Sequence, residues 1–190
     1  GILLTGPLAD RFGPKRFAVL GNLLVAAGLG LLALAQSYPA VLAAAALMGF
    51  GAGVLDMVLS PIVCAFQPAQ RTAAMNWLHS FYCVGAVATV LIASLALRVG
   101  IGVRTLALWL TLLPLLVGIG FLGLRIPPLV AAGGPRLRLR ALCRRPFFLV
   151  ALVAIFLAGA TELGLAQWLP AYAEKSLGYT PWLGGMALLA

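Results

Sequence analysis

The chain has 190 residues, 63% of them hydrophobic and 9% charged, and its 13 lysines and arginines against 4 acids give a net charge of +9. Its mean hydropathy is +1.10. A soluble domain of this length needs a polar surface over its core, and the chain has too few polar residues to make one.

The spacing of the charges gives the fold class. Between Arg16 and Asp56 roughly forty residues pass without a charged side chain, broken only by the Ser37-Tyr38-Pro39 turn. A bilayer core takes about 20 apolar residues per helix, so this stretch reads as two membrane-crossing helices. In chain order, the opening residues to Leu8 read as the tail of one span, and a charged loop from Gly6 to Arg16 follows. Spans are predicted over residues 17–36, 41–66, 74–97, 105–124 and 147–172, with another starting near Trp182. Interior glycines and Pro114 are compatible with spanning helices. The chain begins without Met and stops inside an apolar run, as expected for a piece of a longer protein.

Basic residues orient the spans. Arg11, Lys15, Arg16, Arg71, Arg125, Arg136, Arg138, Arg140, Arg144 and Arg145 fall on one side, and Arg98, Arg104 and Lys175 on the other. The richer side is expected in the cytoplasm. Because the bases sit in short loops at an anionic membrane surface rather than along one helical face, nucleic acid is not an expected partner. Residues 125–146 stand apart as a long, basic, Pro- and Gly-rich connection. They read as a cytoplasmic linker between an N-terminal bundle (1–124) and the start of a C-terminal one (147–190). Cys64, Cys83 and Cys143 are scattered and show no ligand or disulfide spacing, so they read as two small hydrophobes and a loop thiol. No metal or cofactor is expected.

The charged loop, "GPLADRFGPKR", carries one acid and three bases inside an apolar sequence. Gly6 and Gly13 permit close backbone approach and a sharp turn, and Asp10 can accept backbone N–H bonds or pair with a base. Its pattern, G-x-L-x-D-R-x-G-x-K-R, resembles the signature loop of the major facilitator superfamily, with Pro14 where a basic residue is usual. The resemblance implies an all-α membrane protein with a partial major facilitator fold, from the end of the second helix to the start of the eighth. It also implies that Gly6, Asp10, Arg11, Gly13, Lys15 and Arg16 form a cytoplasmic gating latch, closed while the transporter faces outward. "MNWLHSFYCVGA" (75–86) and "ATELGLAQWLPAY" (160–172) are similar to stretches of the fucose–proton symporter-like branch. That branch usually has Gly-Pro where Thr89 and Val90 stand here. The same absence argues against drug–proton antiporters, whose fifth helix carries G-x-x-x-G-P.

An ionisable residue near a span centre costs roughly 2.5–3.5 kcal/mol on insertion scales, which makes Asp56 and Glu162 functional candidates. Ala45, Gly49, Ala52, Gly53, Asp56 and Ser60 share one helical stripe, and Ala158, Gly159 and Ala166 surround Glu162. Small residues let backbones come close, so both faces are expected against protein or a cavity. A low-dielectric surrounding favours the neutral carboxylic acid, so a change of hydration between facing states would load and release a proton. Asn76 and His79 share a helix face and can hydrogen-bond a polyol or staple the helix to a neighbour. Gln167 offers an amide to hydroxyls and Trp168 a ring face to C–H groups, or Trp168 belongs to the interfacial belt. Asn22 is a weaker candidate of the same sort. With no Lys or Arg inside a span, a neutral solute is expected.

No nucleophile–base or metal constellation is visible, so an enzyme is not expected. The expectation is a multi-pass transporter of the cell (inner or plasma) membrane, working by alternating access as a proton-coupled symporter of a neutral sugar. Its expected partners are that solute, protons and the bilayer, and it is expected to be a monomer. The alternatives are efflux of a hydrophobic compound and a transport-inactive membrane sensor.

Overall fold

The computed structural model describes residues 8–9, 12–127 and 143–189, all helical or in short connections. Gly6, Asp10, Arg11 and the linker's Arg136, Arg138 and Arg140 lie outside the described residues.

Five long helices follow one another: α1 (Pro14–Leu34), α2 (Tyr38–Phe66), α3 (Arg71–Arg98), α4 (Val103–Gly123) and α5 (Pro146–Leu177). A short α6 (Pro181–Met186) and a 3-10 turn (Ala187–Leu189) end the described chain. All five long helices have the length and composition to cross a membrane. The shortest, of 21 residues, extend about 31 Å at 1.5 Å per residue, which matches a ~30 Å hydrocarbon core.

Their ends follow from local chemistry. Gly13 precedes α1 with φ +89°, a conformation that a Cβ disfavours, and its N–H donates to the Ala9 carbonyl at 2.9 Å. Pro14 then occupies the first turn, where its missing N–H has no helical acceptor to lose. At the other extreme, α5 runs through Glu174 and Lys175 and stops at Gly178, which is left-handed at φ +71°. Pro61, Pro114 and Pro170 sit inside α2, α4 and α5.

Two compact units can be described. In the first (Gly1–Ala86 and Val99–Ala131), α1 packs against both α2 and α4. Ala9, Ala18, Val54, Val58 and Ile62 form its buried core cluster, with Phe17, Phe121 and Ile126 against them. The α1–α2 contact is close because it is made by glycines. A Cβ on Gly51 would lie 2.9 Å from the Gly21 carbonyl and from the Val25 nitrogen. One on Gly28 would lie 2.9 Å from the Met48 nitrogen and 3.1 Å from the Ala44 carbonyl. Lipid tails give apolar helices no hydrophobic reason to associate, so van der Waals contact between small residues carries the packing. Leucines on the other faces remain exposed, as suits a lipid boundary.

The second unit holds Val87–Arg98 of α3 together with α5 and α6. Here Gly184 approaches the Pro170 carbonyl and the Glu174 side chain, and Gly185 lies against Ser94.

Candidate functional site

Asp56 stands on α2 about 15 Å along the axis from its end at Phe66. It is exposed, away from the buried face of Ala44, Gly51, Val54, Val58 and Ile62. Among the described residues it forms no ion pair or side-chain hydrogen bond. Glu162 lies mid-way along α5, about 24 Å from Pro146 and 22 Å from Leu177, and is also exposed, with an interaction of its own. Both acids therefore sit on open faces near the middle of long apolar helices.

Asn76 and His79 are exposed on the first turns of α3. Asn76 lines a shallow groove of about 270 Å³ with Ala73, Trp77 and Ser80, and its carbonyl accepts the Ser80 hydroxyl at 2.9 Å. Beside it, Val63, Gln67, Gln70, Trp77 and Phe81 line a larger groove of about 390 Å³. The Trp77 and Phe81 rings are tilted by 30° at 6.0 Å. Gln167 and Trp168 are exposed on α5, Trp168 at 73%. Asp56, Asn76 and His79 thus belong to the first unit, and Glu162, Gln167 and Trp168 to the second.

Two expectations change in detail. The small-residue stripe of α2 does not make the close helix contact: Ala45, Gly49 and Ala52 line an open groove beside Val25 and Leu32 of α1, and a Cβ on Gly49 would meet nothing within 4 Å. The close approach falls on Gly51, part of a different stripe. Asn22 is not presented to a solute. It is 4% exposed, its Nδ2 donates to the Ala18 carbonyl at 2.8 Å, and its Cβ faces Gly118 of α4.

Of the loop expected from the sequence to act as a gate, the described members are Gly13, Lys15 and Arg16. Lys15 Nζ donates to the Leu122 carbonyl near the end of α4 at 2.5 Å, so this base ties α1 to α4 within one unit. Sequence reasoning missed its counterpart at the other membrane face, where the Arg104 guanidinium donates to the Ala35 carbonyl at 3.0 Å. It also missed a contact of the second unit, in which Arg98 lies over the Trp182 ring at 5.1 Å. The signal for both was the presence of arginines on the side where bases are scarce.

Charged loops flanking five apolar helices, with the acids among the described residues at mid-helix or a helix end, define a multi-pass membrane protein. The model of the Major Facilitator Superfamily matches residues 1–190, and the chain belongs to that family of transporters. It is 32% identical over 102 residues to an uncharacterized MFS-type transporter of Mycobacterium tuberculosis, found in two strains; the match covers 54% of this chain and 24% of the relative. It is 36% identical over 93 residues to the multidrug resistance protein MdtH of Aeromonas hydrophila, covering 48% of this chain and 23% of that protein. The chain spans less than half the length of these relatives. No solved structure matches it significantly.

Proposed function

We propose that the whole protein is a proton-coupled symporter of a neutral sugar or similar small polar solute, working by alternating access in the cell membrane. The observation that carries this reading is the pair of exposed mid-helix acids, Asp56 and Glu162, in helices otherwise free of charge at that depth. A charged group at the bilayer centre is costly unless it meets a partner or water. Asp56, which forms no ion pair or side-chain hydrogen bond among the described residues, therefore needs a hydrated face, Glu162 has an interaction of its own, and transporters place their sites at this level. Gln167, Trp168 and Asn76 supply hydrogen bonds and a ring face to a polyol. His79 and the loop from Gly6 to Arg16 act as staple and gate.

A second reading, efflux of a hydrophobic compound, is favoured by the similarity to a multidrug resistance protein and by the aromatic groove of Trp77 and Phe81. One experiment separates them. Full-length protein in proteoliposomes is offered a panel of neutral hexoses while external pH is followed. Symport gives sugar-dependent alkalinisation, and Asp56→Asn or Glu162→Gln abolishes accumulation while leaving exchange. Unchanged accumulation in both variants overturns the coupling assignment. Silence to every hexose, together with extrusion of a lipophilic dye, selects the second reading.

A further inference from the structure

Lys15 and Arg16 open α1, and Val19, Leu20 and Leu23 follow one and two turns further along the same side. With Leu122 of α4 these residues line an open groove of about 420 Å³. Beyond the two bases the wall is apolar and accessible, Leu20 and Leu23 being 44% and 48% exposed. The first turn of α1 contains no acid and has no side-chain cap. Its helix dipole therefore adds to the positive field of the bases. The excess of bases places this end at the cytoplasmic face.

We propose that this groove binds an anionic phospholipid of the cytoplasmic leaflet. The phosphodiester sits against Arg16 and Lys15, and one acyl chain lies along Val19, Leu20, Leu23 and Leu122. Shape and charge run in the order a lipid needs. Cations stand at the surface, and the apolar wall from Val19 to Leu23 follows for about 6 Å along the helix, the headgroup-side part of one leaflet's ~15 Å of hydrocarbon. Arg16 is exposed and presents a fork of donors that matches phosphate oxygens. Lys15 has given one N–H to the Leu122 carbonyl and keeps two more. Basic pockets between helices on this side of a membrane suit anionic head groups. A zwitterionic lipid brings its own cation to the same place and loses the advantage. The proposal stands independently of which solute is carried.

The test is native mass spectrometry of the full-length protein with phosphatidylglycerol and phosphatidylcholine of identical acyl chains. Phosphatidylglycerol is expected to be retained preferentially. Arg16→Gln should reduce that preference roughly five-fold, Arg16→Lys should largely keep it, and Arg71→Gln, a cytoplasmic base outside the groove, should leave it unchanged. Equal retention of the two lipids overturns the proposal, as does an Arg16→Gln protein that keeps the full preference. An equal loss in Arg71→Gln also overturns it, since diffuse surface charge then explains the binding. Displacement by inorganic phosphate or glycerophosphoglycerol at matched concentration overturns it in favour of a head-group-only anion site.

Discussion

Lys15 and Arg104 each stand in the first turn of a helix, where the positive end of their own helix dipole disfavours a cation. Because α1 and α4 run antiparallel, each base is also beside the other helix's C-terminal carbonyls, and each donates to one of them. The contacts lie at opposite ends of the pair. Each cation at a helix C-terminus contributes about 0.5–1 kcal/mol, and two sites so far apart act independently. Lys15→Met and Arg104→Met are therefore each expected to lower the thermal midpoint in detergent, and the double variant to lower it by the sum. A double variant no worse than either single one would mean that the two contacts do not act separately. As a base in the loop, Lys15 was legible in the sequence. Its partner was not, since a backbone carbonyl over a hundred positions away leaves no pattern.

At the scale of elements, the α1–α2 pair depends on which small residues face each other. The α2 sequence has small residues on nearly every side: Ala43 to Ala46, Gly49, Gly51, Ala52 and Gly53. Periodicity identifies several possible stripes and cannot choose among them. The choice was made by the fit with Gly21 and Gly28, whose spacing of seven matches that of Ala44 and Gly51. Gly51→Ala drives a methyl group into backbone atoms 2.9 Å away, which cannot swing aside as a side chain would. It is expected to cost about 1–3 kcal/mol and to lower the yield of folded protein. Gly49→Ala, which meets nothing within 4 Å, should leave stability unchanged or slightly raised through helix propensity. Equal losses in the two would show that the α2 face is misassigned. Element ends carry the same lesson. The span expected to end at residue 172 continues to Leu177, because Glu174 and Lys175 end the apolar stretch but not the helix, which stops where Gly178 turns left-handed.

At the scale of the molecule, the second unit joins Val87–Arg98 of α3 to α5 and α6, on the side where Arg98 meets Trp182. A Cβ built on Gly185 lies 3.7 Å from the Ser94 Cβ, within the span of a disulfide. With Cys64, Cys83 and Cys143 replaced, the Ser94→Cys, Gly185→Cys variant is expected to cross-link on oxidation. Under the alternating-access reading, that cross-link should stop transport and reduction should restore it. Full transport by the oxidised, fully cross-linked protein would show that this contact does not part during the cycle.

What the amino-acid sequence determined by itself was the five long spans among the described residues with their rough limits, and the membership in a transporter family. These depend on charge-free length and on a compact loop pattern, both of which are local. The facing of α2, the carbonyl partners of Lys15 and Arg104, the burial of Asn22, and the meeting of Ser94 with Gly185 were decided only in three dimensions. Between helices that are apolar all round, the choice is made by ångström-scale fit of backbones and by carbonyls at helix ends, and neither is written in the periodicity of a single helix.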